Sequence, residues 1–163
     1  MATSPERLYE DDFYAWTRHQ ADALRRLAET RPNVGIDFEH LIDEVEDLGS
    51  ERLFSILSQA ERLIEHLLKL EYSRHDQPRR QWLLSVNGAR REIERRLTAT
   101  LRKHLLDALP TLYANARADA VLALEDHGEA DAASILPATC PYALDRLLDQ
   151  DWYPASRHGS VDE

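Results

Sequence analysis

The chain has 163 residues, 43% of them hydrophobic and 31% charged, with a formal net charge of −10. That length allows one domain burying about two-thirds of the surface exposed by the unfolded chain, with no need of a disulfide or metal staple. The balance excludes a chain disordered throughout and a strongly basic nucleic-acid binder, and no apolar run approaches the roughly 18 residues that span a bilayer. A lone cysteine, Cys140, has no partner for an internal disulfide. With no basic region followed by an apolar core at the N-terminus, a cytoplasmic location away from membranes is expected.

Five glycines and seven prolines punctuate the sequence sparsely, and between them apolar residues recur at spacings of three and four. The fold predicted is all-α, a single-domain bundle of about five main helices plus a short C-terminal helix. It occupies residues 8–154, with flexible ends at 1–7 and 155–163. The first helix is predicted from about Leu8 to Thr30, with Tyr9, Phe13, Trp16, Gln20, Ala23, Leu24 and Leu27 inward and Pro32 forbidding continuation. A second runs from Asp37, which can cap it, to a stop at Gly49, with Phe38, Leu41, Ile42, Val45 and Leu48 inward.

The third predicted helix starts at Ser50 as its cap and reaches about Arg74. Its inward residues Leu53, Leu57, Ala60, Ile64 and Leu67 step by four, three, four and three. Ile56, Leu63, Leu68 and Leu70 widen that seam beyond 100°, which places this helix at the centre. Pro78 opens a fourth helix with Trp82, Val86, Ala89, Ile93 and Leu97 inward, and a break is expected near Thr98 or Thr100. Pro110 suits the first turn of a fifth helix that holds Leu112, Tyr113, Ala116, Ala120 and Leu124 and stops around Gly128. A short last helix, announced by Thr139-Cys140-Pro141, turns Leu144, Leu147 and Leu148 inward.

DDFYAW at 11–16, the aspartate-led acidic helix ending at Leu48-Gly49, HLLK at 66–69, Cys140-Pro141 and DWYP at 151–154 occur in an order that resembles the bacterial "domain of unknown function twenty-nine" family. The resemblance spans residues 8 to 154. It implies a small helical bacterial protein with no established activity, so no catalytic residue is carried over. It directs attention to the matched polar positions Asp12, Asp37, Glu44 and His66.

Residues 37 to 51 hold seven carboxylates and no Lys or Arg. On a helix, Asp37, His40, Glu44 and Asp47 share one flank, and a histidine with carboxylates three before and four after it can ligate a divalent metal. Asp37-x-x-His40 loosely resembles half of a di-metal carboxylate site, but that chemistry needs a second acid-x-x-His pair. The residues three before His19, His66, His104 and His127 are Trp16, Leu63, Leu101 and Leu124. The metal alternative therefore reduces to a single site built from Asp37, His40 and Glu44 with His66, and no cofactor is implied. His66, beside Arg62 and Lys69 at the edge of the apolar arc, is expected to be a neutral imidazole bonded to a neighbouring helix. Cys140 lies at an expected helix start, where the positive end of the helix lowers a thiol pKa, but no histidine partners it and a packed inert thiol is expected.

Charge is distributed unevenly. Residues 74–104 hold nine basic and three acidic residues, a net of +6, so the rest carries −16 to reach −10. Arg80, Arg91, Arg95 and Arg102 are expected to form a ridge along the fourth helix away from Trp82 and Ile93, while Arg90 borders the apolar stripe facing carboxylates such as Glu44. A nucleic-acid accessory role is disfavoured by the overall negative charge and the absence of aromatics on the ridge. The function expected is a non-enzymatic interaction or regulatory module, meeting a protein partner or a second copy as a homodimer.

Overall fold

The computed structural model describes residues 4–158, which form seven helices and no strand. Part of each expected flexible end, residues 1–3 and 159–163, lies outside the described residues. None of the described helices is long and apolar enough to cross a membrane.

The first predicted helix is two helices, α1 (Pro5–Asp11) and α2 (Phe13–Glu29), separated at Asp12. Asp12 leaves helical geometry at φ −150° and accepts the Ala15 N–H at 3.0 Å, so its carboxylate takes over one of the donors that a helix start leaves unpaired. The buried face of α2 is Tyr14, Thr17 and Ala21, one residue on from the stripe expected through Phe13 and Trp16. The reason lies at the next helix.

Helix α3 (Phe38–Tyr72) is continuous for 35 residues and runs straight through the expected stop at Gly49. Glycine ends helices because it tolerates left-handed geometry, but it also admits the closest approach of another backbone, and here the second property decides. A Cβ at Gly49 would lie 2.2 Å from Thr17 Oγ1 and 3.4 Å from a Tyr14 ring carbon. Ser50, expected to cap a new helix, instead donates to the Glu46 carbonyl at 3.1 Å and accepts from Arg18 Nη2 at 3.0 Å.

Helix α4 (Arg79–Arg96) follows Pro78, and the expected break falls at Leu97–Thr98, where Thr98 Oγ1 accepts the Leu101 N–H at 3.3 Å. Helix α5 (Ala99–Asp126) contains Pro110 in its interior, so Pro110 does not begin a helix. Proline removes the bond to the carbonyl four residues back, at Leu106, and both residues are exposed, which leaves that carbonyl to solvent. The chain closes with two short helices, α6 (Ala130–Ser134), which the periodicity did not predict, and α7 (Leu144–Leu148).

The contacts divide into two compact units. The first comprises the chain to Ser55 with Leu97–His104, and Tyr14, Thr17, Ala21, Ile42 and Leu101 are buried in it. Asp12 bridges its parts, since the second carboxylate oxygen accepts the Thr100 N–H at 3.2 Å. The second unit comprises Ile56–Arg96 and the chain from Leu105. Its core is the wide arc expected on α3, with Ile56, Leu63, Ile64, Leu67, Leu68 and Leu70 all at 1% exposure or less, joined by Val86 and Ile93 of α4 and by Ala116, Ala120 and Leu124 of α5.

Two glycines test this account with opposite signs. Gly49→Ala should destabilise by about 1–3 kcal/mol through overpacking against Thr17, outweighing the gain in helix propensity. At Gly88 in α4 a Cβ would meet nothing within 4 Å, so Gly88→Ala should stabilise by about 0.5–1 kcal/mol. Urea unfolding of both variants decides; a Gly49→Ala protein as stable as the parent would refute the close crossing.

Candidate functional site

The acidic face lies on the first turns of α3. Asp37, just before the helix, accepts the His40 backbone N–H at 3.3 Å and lies 2.6 Å from His40 Nδ1. The hydrogen bond from His40 holds the Asp37 carboxyl below the ordinary range, and the same bond raises the His40 imidazole above its own. This pair is solvent-exposed. Glu44 is exposed as well. The arginines of α2 choose Glu46 instead, with Arg25 at 2.7 Å and Arg18 at 3.4 Å.

His66 is partly buried on α3. Burial pushes its pKa down, and the Lys69 and Arg62 charges act in the same direction. Its Nδ1–H donates to the Arg62 carbonyl at 2.8 Å, so the partner is its own helix and not a neighbouring one. Arg90 is 1% exposed. Its Nε–H donates to the Leu147 carbonyl at 2.8 Å, its Nη2 reaches the Arg146 carbonyl at 3.4 Å, and its guanidinium lies 5.1 Å from the Tyr153 ring centroid. Arg90 thus holds the carbonyl end of α7 and the DWYP segment, while its Nη1 is buried without a hydrogen-bond partner. Burial lowers its pKa from that of an ordinary arginine.

Arg80, Arg91 and Arg95 follow one face of α4, and all three are exposed. The same face carries Leu84 at 61% exposure. Arg102 stands on α5, beyond the break at Leu97–Thr98, so it does not extend this row. Arg95 pairs with Glu92, which Arg96 also meets at 2.9 Å.

A third cluster escaped the sequence. Where α3 ends, a cleft of about 350 Å³ is lined by Lys69, Ser73, His75, Trp82, His127 and Glu129, among others. Glu129 is 4% exposed and accepts from Ser73 Oγ at 2.7 Å and from the Arg74 N–H at 2.6 Å. It thereby satisfies backbone and hydroxyl donors just past the end of α3. Lys69 pairs with Glu65 at 2.7 Å and lies 5.4 Å from the Trp82 ring centroid. His75 Nε2–H donates to the His127 carbonyl at 3.2 Å, and His127 Nδ1–H donates to the Ala123 carbonyl at 2.6 Å. Ser73 spends its proton on Glu129 and is 2% exposed, so the group resembles no activated nucleophile. Its members come from two stretches, 69–82 and 127–129, separated by more than 40 positions, and the turn at Gly128, φ +76°, is the local signal in sequence.

Among the described residues no three or more His, Cys, Asp or Glu side chains are placed to hold a metal ion. Cys140 lies four residues before α7 begins, donates to the Tyr142 carbonyl at 3.4 Å, and burial raises its thiol pKa.

The model of the family described as "Domain of unknown function DUF29" matches residues 8–153, nearly the whole chain, and the protein belongs to that family. No curated protein matches it. A crystal structure of an alpha-helical protein of unknown function from Rhodospirillum rubrum is similar in fold, with a TM-score of 0.79 over 93% of this chain and 92% of that one at 23% identity.

NMR titration should place the His40 imidazole above its ordinary pKa of 6.5 and His66 below it, and Asp37→Asn should abolish the rise at His40 alone. The signs differ for stability. What protonated His40 contributes is present below pH 6.5 and lost as pH climbs through its raised value. What neutral His66 contributes is present above pH 6.5 and lost as pH falls toward its lowered one. A His66 titrating above 6.5 would contradict the burial argument. Arg90→Ala should cost about 2–4 kcal/mol in urea unfolding, because it strips the α7 carbonyls of their donor and opens a cavity; a cost under about 1 kcal/mol would show that the contact is dispensable.

Proposed function

We propose that this member of the family is a non-enzymatic interaction module that self-associates, the basic face of α4 in one copy meeting the acidic face of α3 in another. One observation supports the reading above the rest: each charged face has leucine exposed at its centre. On α4, Leu84 stands at 61% exposure in the row of Arg80, Arg91 and Arg95. On α3, Leu41 and Leu48 stand at 40% and 49%, one above the other, flanked by the exposed Glu44 and Glu51.

Apolar burial would supply affinity and the opposed charges would supply register and encounter rate. Arginine suits such a row, since its planar fork matches carboxylates and loses little water on docking. The free thiol of Cys140 agrees with a reducing, cytoplasmic setting. A homodimer satisfies both faces twice if the contact is two-fold.

Sedimentation over a wide concentration range tests the reading. The parent chain should self-associate, whereas Arg80→Glu with Arg91→Glu and Arg95→Glu should be monomeric, as should Glu44→Lys with Glu51→Lys. Mixing the two reversed proteins should restore a complex, because every contact is again between opposite charges. A parent chain that stays monomeric, or a mass indifferent to reversal, would end the proposal.

A further inference from the structure

In the first unit, α1 and α2 enclose an open groove of about 620 Å³ lined by Pro5, Glu6, Tyr9, Glu10, Trp16 and Gln20. Its floor is aromatic. Tyr9 meets Trp16 edge-on with ring centroids 4.9 Å apart, and Phe13 stacks on Trp16 at 5.6 Å with the planes 25° apart. Tyr9 is 48% exposed, although it is large and apolar over most of its surface. Its rim is acidic. Glu6 and Glu10 stand one turn apart on α1, both exposed, and neither meets an arginine or lysine among the described residues.

The cluster already holds one guanidinium. Arg52 of α3 lies over the Phe13 ring at 3.8 Å from its centroid. Indole is the best of the aromatic partners for a cation, and Trp16 lines the groove with two carboxylates beside it that meet no arginine or lysine among the described residues.

We propose that this groove receives an arginine side chain from the α4 row of a second copy, its guanidinium against Trp16 and Tyr9 and its N–H donors shared by Glu6 and Glu10. Arginine is chosen over lysine on two grounds: a planar cation stacks and forks to a carboxylate, and the donors on the exposed α4 face are Arg80, Arg91 and Arg95. An apolar segment would desolvate the two carboxylates without compensation, and a phosphate would be repelled by them. Arg52 on the Phe13 ring also belongs to the helix face of Leu48, four residues before it, so the groove adjoins the leucine strip invoked above. The source of the arginine rests on the self-association reading; the chemistry of the groove does not.

Two readouts separate these layers. In NMR titrations of the full chain, arginine ethyl ester should shift the Trp16 indole N–H, identified through Trp16→Phe, and glycine ethyl ester should not. The surface double variant Glu6→Gln with Glu10→Gln should weaken that binding about fivefold or more. The same double variant should weaken self-association in sedimentation by a similar factor. No shift with arginine ethyl ester overturns the guanidinium groove whatever the oligomeric state. A shift in a chain whose self-association ignores the double variant overturns the second copy as its occupant. A shift in a chain monomeric throughout overturns that occupant and the self-association reading together.

Discussion

The contact of Thr17 with Gly49 organises the first unit. Because the residue at 49 has no side chain, α2 comes close enough for the Thr17 hydroxyl to occupy the place of a Cβ. Thr17 and Ala21 are then fully buried, and α2 is turned so that Phe13 and Trp16 are left half-covered. Those rings meet Tyr9 of α1 and the Arg52 guanidinium of α3, and together with Tyr9 they leave an aromatic groove at the surface. Helix α3 continues unbroken through this glycine, so Leu41 and Leu48 line up with Arg52 on one uninterrupted face. A single missing methyl thus sets how α2 lies on α3 and which of its aromatic residues reach the surface.

Much of the fold could be read from apolar spacing, and the misreadings have a common cause. The wide arc from Ile56 to Leu70 was legible because it is covered on several sides and every turn repeats the signal. The break near Thr98 and the ends beside Pro32 and Gly128 were legible because each has a local chemical cause. Gly49 and Pro110 were misread as punctuation. Both are helix-interior residues whose meaning is set by what lies next to them, a close-packed helix in one case and solvent in the other. The α2 face was misread for the same reason: Phe13 and Trp16 are more hydrophobic than Thr17, but only a small residue fits against the crossing. Of the polar positions singled out, Asp37 and His40 pair as their spacing implied, since three residues on a helix is a local distance. The His75–His127 juxtaposition and the grip of Arg90 on the Leu147 carbonyl join residues more than 50 apart, and no periodicity encodes that.

The distribution of polar and apolar groups also separates structure from function. The buried polar residues Asp12, Glu129 and Arg90 each answer backbone groups: N–H donors at Ala15 and Thr100, an N–H at Arg74, and carbonyls at Leu147 and Arg146. Asp12 shows the balance in its own acidity. Burial pushes its pKa up, yet the hydrogen bonds from Ala15, Thr100 and Thr98 prevail and hold it below the ordinary carboxylate value. Asp12 and Glu129 thus serve to end and join helices, as does Arg90 through Nε and Nη2, while its Nη1 keeps no hydrogen-bond partner.

The surface carries apolar groups as well as charges. An exposed leucine on a charged helix face, and a tyrosine and tryptophan floor beside Glu6 and Glu10, are surfaces from which a covering partner would remove water. His66 and His127 are tied to backbone carbonyls, Ser73 donates to Glu129, and burial raises the Cys140 thiol pKa. On the self-association proposed above, the exposed rings and leucines and the charges that frame them are the groups that a second copy would cover.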